Sequence, residues 1–222
     1  MNNETQQQPV NLNMSSLPEP PVPVTSSNSN KDGIKSIIST ILILLLAPML
    51  ALAITAFVFQ SYEVDGPSMQ NTLQTKDRLI VWKFGHTMAR ITHKSYVPDR
   101  GAIVVFVKRG LYDFSSDKEK QLIKRVIGLP GDKVVVENGI VTVFNDENPN
   151  GFNPDETLNL KDTLEGTTDG NTTVTVQEGE IFVMGDHRNN SLDSRIFGPI
   201  PTTDIVGTLS ARILPLAEAK KF

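Results

Sequence analysis

The chain contains no cysteine. Disulfide scaffolds, zinc–thiolate sites, iron–sulfur clusters and cysteine nucleophiles are thereby excluded. The redox compartment is not indicated, since a cysteine-free chain is viable in any of them. There is also no surplus of basic charge: 21 Lys and Arg against 25 Asp and Glu give a net charge of −4. No nucleic-acid partner is expected, because nothing is left over to meet a phosphate backbone. No internal repeat is visible, and no amphipathic helical pattern of ten or more residues. Neither Lys nor Arg occurs between Lys35 and Lys76. What is present in these 222 residues falls into three segments of unlike composition.

Residues 1–33 hold five of the 14 prolines together with many Asn, Gln and Ser. Such a stretch cannot bury enough apolar surface to offset its ordering entropy, so a disordered tail is expected. From Ser36 to Phe59 no residue is charged. As a helix rising about 1.5 Å per residue, this run is long enough to cross a hydrocarbon core of about 30 Å. A secretory signal peptide would have a shorter apolar region followed by a small-residue cleavage site, and here Gln60-Ser61-Tyr62-Glu63 follows. A transmembrane helix is therefore expected over 34–60. Lys31 and Lys35 precede it, which by the positive-inside rule leaves the N-terminus cytoplasmic and the following domain outside.

Residues 61–222 read as one β-rich domain. The runs 78–84, 102–108, 133–144, 172–177 and 180–185 are rich in Val, Ile and Phe. Asn138-Gly139 is a type I′ hairpin signal between two of them. The polar, turn-rich stretch 145–171 suggests an insertion, placed at about 139–178. The fold expected is mainly β: a single N-terminal transmembrane helix followed by a β-rich catalytic domain of antiparallel sheets with a small inserted subdomain.

Three short segments carry more than core residues. The first, Gly66-Pro67-Ser68-Met69-Gln70, follows closely on the apolar run and places a serine near a membrane surface. It meets only half of the hydrolase elbow G-x-S-x-G, since Gln70 stands where the second Gly belongs. The second, Lys124-Arg125-Val126-Ile127, follows Leu122-Ile123, so one of its two bases points inward while the other is a rim or support residue. A lysine in apolar surroundings loses hydration of its ammonium, its pKa falls, and it can take a proton from a serine hydroxyl. The third, Gly185 to Pro199, packs Asp186, His187, Arg188, Ser191, Asp193 and Arg195 directly behind an apolar strand. Its carboxylates and histidine match no metal-ligand spacing, and its arginines would repel a cation. A hydrogen-bonded loop supporting a site is the better reading, and no metal or other cofactor is expected.

These segments, in this order after a single N-terminal span, resemble type I signal peptidase, the membrane-bound Ser–Lys protease family that removes signal peptides. RGAIVVF at 100–106 is similar to a further box of that family. The resemblance runs from about Tyr62 to Pro201. It implies Ser68 as nucleophile, Lys124 as general base, Ser191 as the residue that orients the lysine, and Asp193 with Arg195 as a supporting ion pair. Some members carry a serine two residues before the nucleophile that helps bind the oxyanion. Here that position is Gly66, so a second donor would have to be a backbone N–H. Asn71 stands where the family often has proline. The resemblance further implies shallow pockets for small side chains, lined by Tyr62, Val64, Met69, Leu73, Leu122 and Ile123. Its partners would be preproteins carrying signal peptides, membrane lipid and, transiently, the secretion machinery. The location implied is the cell membrane or an internal one such as the thylakoid.

Three rivals are weaker. The β-lactamase pattern S-x-x-K occurs at Ser115–Lys118, but in a charged stretch and without S-D-N or K-T-G. Self-cleaving repressors of the Ser–Lys type carry a DNA-binding domain, and this chain has an apolar span in its place. A membrane-tethered binding module with a retired site would have no reason to keep Ser68, Lys124 and Ser191 together. His86, His93 and His187 are taken as structural or surface residues.

Overall fold

The computed structural model describes residues 29–92, 95–113 and 118–222. Most of the tail expected to be disordered lies outside these. Helix α1 runs Ser29–Phe57, with an apolar stretch Gly33–Phe57 of mean hydropathy 2.8 that is wholly unburied. It is long and apolar enough to cross a membrane. Its threonine hydroxyls bond back to the helix, Thr40 to the Ser36 carbonyl and Thr55 to that of Ala51, so neither is left unpaired in an apolar medium. The helix ends three residues short of the expected boundary. Phe59 and Gln60 already pair with Trp82 and Val81 as the first strand of the sheet.

The chain divides into two compact units, one up to Leu46 and the other Ala47–Phe222. The second holds all of the sheet structure. Its strands are β1 (Phe59–Glu63), β2 (Arg78–Trp82), β3 (Ile103–Asp113), β4 (Lys118–Gly128), β5 (Lys133–Glu137), β6 (Ile140–Phe144), β7 (Thr172–Thr175), β8 (Glu180–Met184), β9 (Ile200–Pro201), β10 (Ile205–Leu214) and β11 (Lys220–Lys221). Three short helices join them: α2 (Phe84–Thr92), α3 (Pro154–Thr157) and α4 (Ser194–Phe197). The larger sheet has the order β1-β2-β10-β3-β4-β8-β9, with β11 added to β10, and the smaller is β6-β5-β7. Every strand pairing is antiparallel.

Alternation along the strands decides what is buried. In β5 and β6 the residues Val134, Val136, Val141 and Val143 face one way and pack against Ile127, Phe182 and Met184 of β4 and β8. The Asn138-Gly139 turn has both residues at positive φ, 51° and 81°, as a type I′ hairpin requires. A second core joins Val104, Phe106, Val126, Ile181, Val183, Ile200 and Ile205. A third holds the Ser68 segment in place: Val64, Met69 and Leu73 pack against Leu79, Ile103 and Leu209. Strand β4 lies between β3 and β8, but its pairing with β8 begins only at Arg125, which is opposite Met184. Residues 118–124 of β4 therefore have an edge not covered by β8.

Candidate active site

Ser68 sits in the loop between β1 and β2, anchored by the wholly buried Met69 and Leu73. Those two were expected to line a pocket. Instead they are core residues that fix the loop. Gly66 adopts φ 102°, a conformation that favours glycine, which accounts for the missing serine at that position. Among the described residues no carbonyl accepts the N–H of Ser68. Its own carbonyl accepts the N–H of His187, tying the loop to the 185–199 segment.

Lys124 ends the uncovered part of β4. Its residue is 2% exposed, and its Nζ donates to Ser68 Oγ at 2.7 Å and to the Ile123 carbonyl at 2.9 Å. Burial pushes its pKa down to about 8, against the opposing pull of the Asp193 and Asp186 carboxylates. The neighbouring Arg125 is not a rim charge. It is 8% exposed and grips Asp186 with both arms of its fork, Nε to Oδ1 at 2.9 Å and Nη2 to Oδ2 at 2.6 Å. Thr72 donates a hydroxyl to the same carboxylate, and Arg125 Nη1 reaches the Gly101 carbonyl at 2.8 Å. Two consecutive bases on opposite faces of a strand are thus both buried. Arg125 has a carboxylate partner there, whereas Lys124 has only a hydroxyl and a carbonyl.

The segment behind β8 is built around Asp193, which is fully buried and caps α4. It accepts from Arg195 Nε at 2.9 Å and Nη2 at 2.8 Å, and from the Gly185 N–H at 3.0 Å. Burial raises its pKa, but the Arg195 hydrogen bonds and charge outweigh this and hold it below the usual carboxylate value. Ser191 Oγ is buried near that carboxylate, and among the described residues it has no hydrogen-bond partner. Its expected bond to Lys124 is absent from this arrangement. Gly185 explains why the loops meet: a β-carbon there would press into the Ser68 carbonyl and the Ser191 hydroxyl.

A cavity of about 320 Å³ opens at Ser68 and Lys124, lined also by Tyr62, Val64, Leu79, Val105, Leu122 and Ile123, with Glu63, Asp65 and Glu119 among its polar lining. Of the six residues expected to form pockets, Tyr62, Val64, Leu122 and Ile123 face this cavity. The Tyr62 hydroxyl is buried without a partner among the described residues, and burial raises its pKa. His187 bonds Gln70 through Nδ1 at 3.1 Å, and His86 packs on Tyr96 away from Ser68, its pKa lowered to about 4 by burial and by Arg90. The described residues contain no group of three or more His, Asp or Glu placed to hold a metal.

The Arg125–Asp186 and Arg188–Asp155 ion pairs are buried contacts that the sequence does not mark as pairings. Arg188 is 1% exposed and forks onto Asp155 of α3, with Thr168 completing its shell. The only sequence signal is a run of charges behind an apolar strand, and it does not say which charges meet.

The family described as "Signal peptidase, peptidase S26" matches residues 37–214. "Probable signal peptidase I-1" of Synechocystis sp. is 36% identical over 174 residues, covering 78% of this chain and 80% of its own. "Signal peptidase I S" of Bacillus subtilis is 34% identical over 197 residues, covering 84% and 94%. A crystal structure of a signal peptidase I from Enterococcus faecalis aligns with a TM-score of 0.38 and 26% identity, over 53% of this chain and all of that one. By family match and by identity over most of its length, the chain belongs to the signal peptidase family, peptidase S26.

Proposed function

We propose that this protein is an endopeptidase that removes N-terminal signal peptides from exported preproteins, with Ser68 as nucleophile and neutral Lys124 as general base. The observation that carries the proposal is the 2.7 Å contact between a buried Lys124 Nζ and Ser68 Oγ at the mouth of a cavity. At pH 7 a lysine with pKa about 8 is neutral in roughly a tenth of molecules. In that form Nζ accepts the Ser68 proton as Oγ attacks the scissile carbonyl carbon. The C=O electron pair moves to the oxygen, and the N–H of Ser68 is available to hold it. The Lys124 ammonium then gives the proton to the departing amine, and the C–N bond breaks. An acyl ester remains on Ser68. Water adds to it with Lys124 again accepting the proton, which releases the signal peptide and restores the serine.

The uncovered edge of β4 suits an extended substrate held by main-chain hydrogen bonds. The apolar walls of Tyr62, Leu122 and Ile123 suit small side chains before the cut. Helix α1 anchors the enzyme in a membrane, with the N-terminus cytoplasmic and the sheet domain on the outer face, where preproteins emerge from the secretion machinery. The test is incubation of the detergent-solubilised protein with a labelled preprotein and sequencing of the new N-terminus. Cleavage after a small-x-small segment is expected, and Ser68→Ala is expected to abolish it while leaving the fold intact. Substantial cleavage by Ser68→Ala would point to another nucleophile.

A further inference from the structure

We infer that α2 is a second membrane contact, an amphipathic helix that rests its apolar face in the outer interface of the bilayer beside the exit of α1. It begins one residue after Lys83, and Lys83 is tied to the end of α1. The Lys83 N–H donates to the Val58 carbonyl at 2.8 Å, and its Nζ donates to the Ala56 carbonyl and to Gln60 Oε1, both at 3.0 Å. An ammonium held at the last turn of an apolar helix marks the depth at which lipid gives way to water.

From that level an aromatic row continues outward. Phe59 meets Trp82 edge-on at 4.7 Å, and Trp82 meets Phe84 at 6.0 Å. Trp is the residue type enriched at this depth of a bilayer. Along α2 the residues Phe84, Met88 and Ile91 fall at i, i+4 and i+7, on one face. They are 43%, 41% and 64% exposed. The opposite face is held by the protein: His86 is buried against Tyr96 and near Thr208, and Arg90 donates to the carbonyls of Thr203 and Ile205. Three large apolar side chains thus stay in water only if nothing covers them. The surface continuous with them, through Trp82, Phe59 and Phe57, is that of the span itself. A bilayer is therefore the occupant favoured over a protein partner. The exposed Leu214 and Leu216 lie toward the other end of β2 and β10, where Leu214 is opposite Arg78, and take no part.

The absence of cysteine makes the test clean, because an introduced thiol is unique. Met88→Cys, Ile91→Cys and, as a control in the turn after β6, Glu147→Cys are labelled with an environment-sensitive fluorophore in the full chain. Each is reconstituted in phosphatidylcholine–phosphatidylglycerol vesicles and read only on the fraction that floats with lipid. The inference rests on α1 spanning the membrane, and failure of that reading would appear as loss of flotation. It does not rest on the hydrolytic reading, since fluorescence needs no turnover. Probes at 88 and 91 are expected to shift to the blue and to be quenched by spin-labelled lipid at least about threefold more than the probe at 147. Quenching by aqueous iodide at 88 and 91 as strong as at 147, with no lipid quenching, would overturn the inference. Met88→Glu/Ile91→Glu supplies a second reading. It is expected to slow cleavage of a vesicle-inserted preprotein about fivefold or more while leaving a short soluble peptide unaffected. Equal rates on both substrates would count against it.

Discussion

Lys124 and Arg125 are adjacent bases, and the different partners they meet give them different chemistry. Arg125 meets a carboxylate. Lys124 meets only dipoles directly, so burial dominates and its pKa falls to about 8. Lys124→Arg keeps the charge but cannot lose a proton near neutrality. Its kcat/KM is expected to fall to that of Lys124→Ala, a loss of about 10²-fold or more. Retention of much activity by the arginine would mean that charge alone suffices. Arg125→Lys is expected to be harmful as well, because an ammonium cannot bond both Asp186 oxygens and the Gly101 carbonyl together. Losing the fork should cost about 1–3 kcal/mol, read as a lower Tm. An unchanged Tm would show that Asp186 finds other donors. The sequence alone supports only a rim or support position for Arg125, since it names no carboxylate to meet it.

Two loops make the site, and they meet at Gly185. Without a side chain, Gly185 leaves the Ser68 carbonyl and the Ser191 hydroxyl the space that a β-carbon would fill. Gly185→Ala must push the loops apart, and the Ser68 backbone cannot yield as a flexible side chain could. Activity is expected to fall by about 10²-fold, with the far smaller β6-β5-β7 sheet undisturbed. The check is kcat/KM together with hydrogen exchange on both sheets; a fully active Gly185→Ala would show that the contact is slack. The legible parts of the site are those contiguous in sequence: the Ser68 segment, the Lys124 box and the run from Gly185 to Pro199. What joins them is not contiguous. Asp155 and Arg188 are 33 residues apart, and Arg125 and Asp186 are 61 apart. No local pattern encodes such pairings. Strands β2, β3, β5, β6, β7 and β8 are legible in the Val, Ile and Phe runs, whereas β1, β4, β9, β10, β11 and helix α2 are not. At nine residues it is too short for a period to stand out, and it packs a histidine, not an aliphatic, against β10.

At the scale of the whole molecule, a buried lysine is a global liability that depends on pH. The folded state holds Lys124 at a pKa of about 8, while the unfolded chain releases the proton at the ordinary lysine value of 10.5. Between those values the unfolded state binds the extra proton, so stability rises with pH across that window. Below about pH 8 both states are protonated and the full penalty of a buried ammonium is present. Above about 10.5 both are neutral and the penalty is gone. A shift of this size corresponds to about 3 kcal/mol, as an order of magnitude. On the proposed mechanism the same shift is expected to give a rising limb of kcat/KM near pH 8, so that the general base would also be the group that destabilises the fold near neutrality. Lys124→Met removes the titration and keeps most of the side-chain volume. Its carboxylate neighbours remain satisfied, Asp193 by Arg195 and Asp186 by Arg125. The inactive variant is therefore expected to be more stable than the parent at pH 7, and the gap should close as pH rises from about 8 toward 10.5. Thermal unfolding of both proteins across pH 6 to about 10 measures it. A gap independent of pH would mean that Lys124 does not titrate in that window, and the rising limb of activity would then belong to another group.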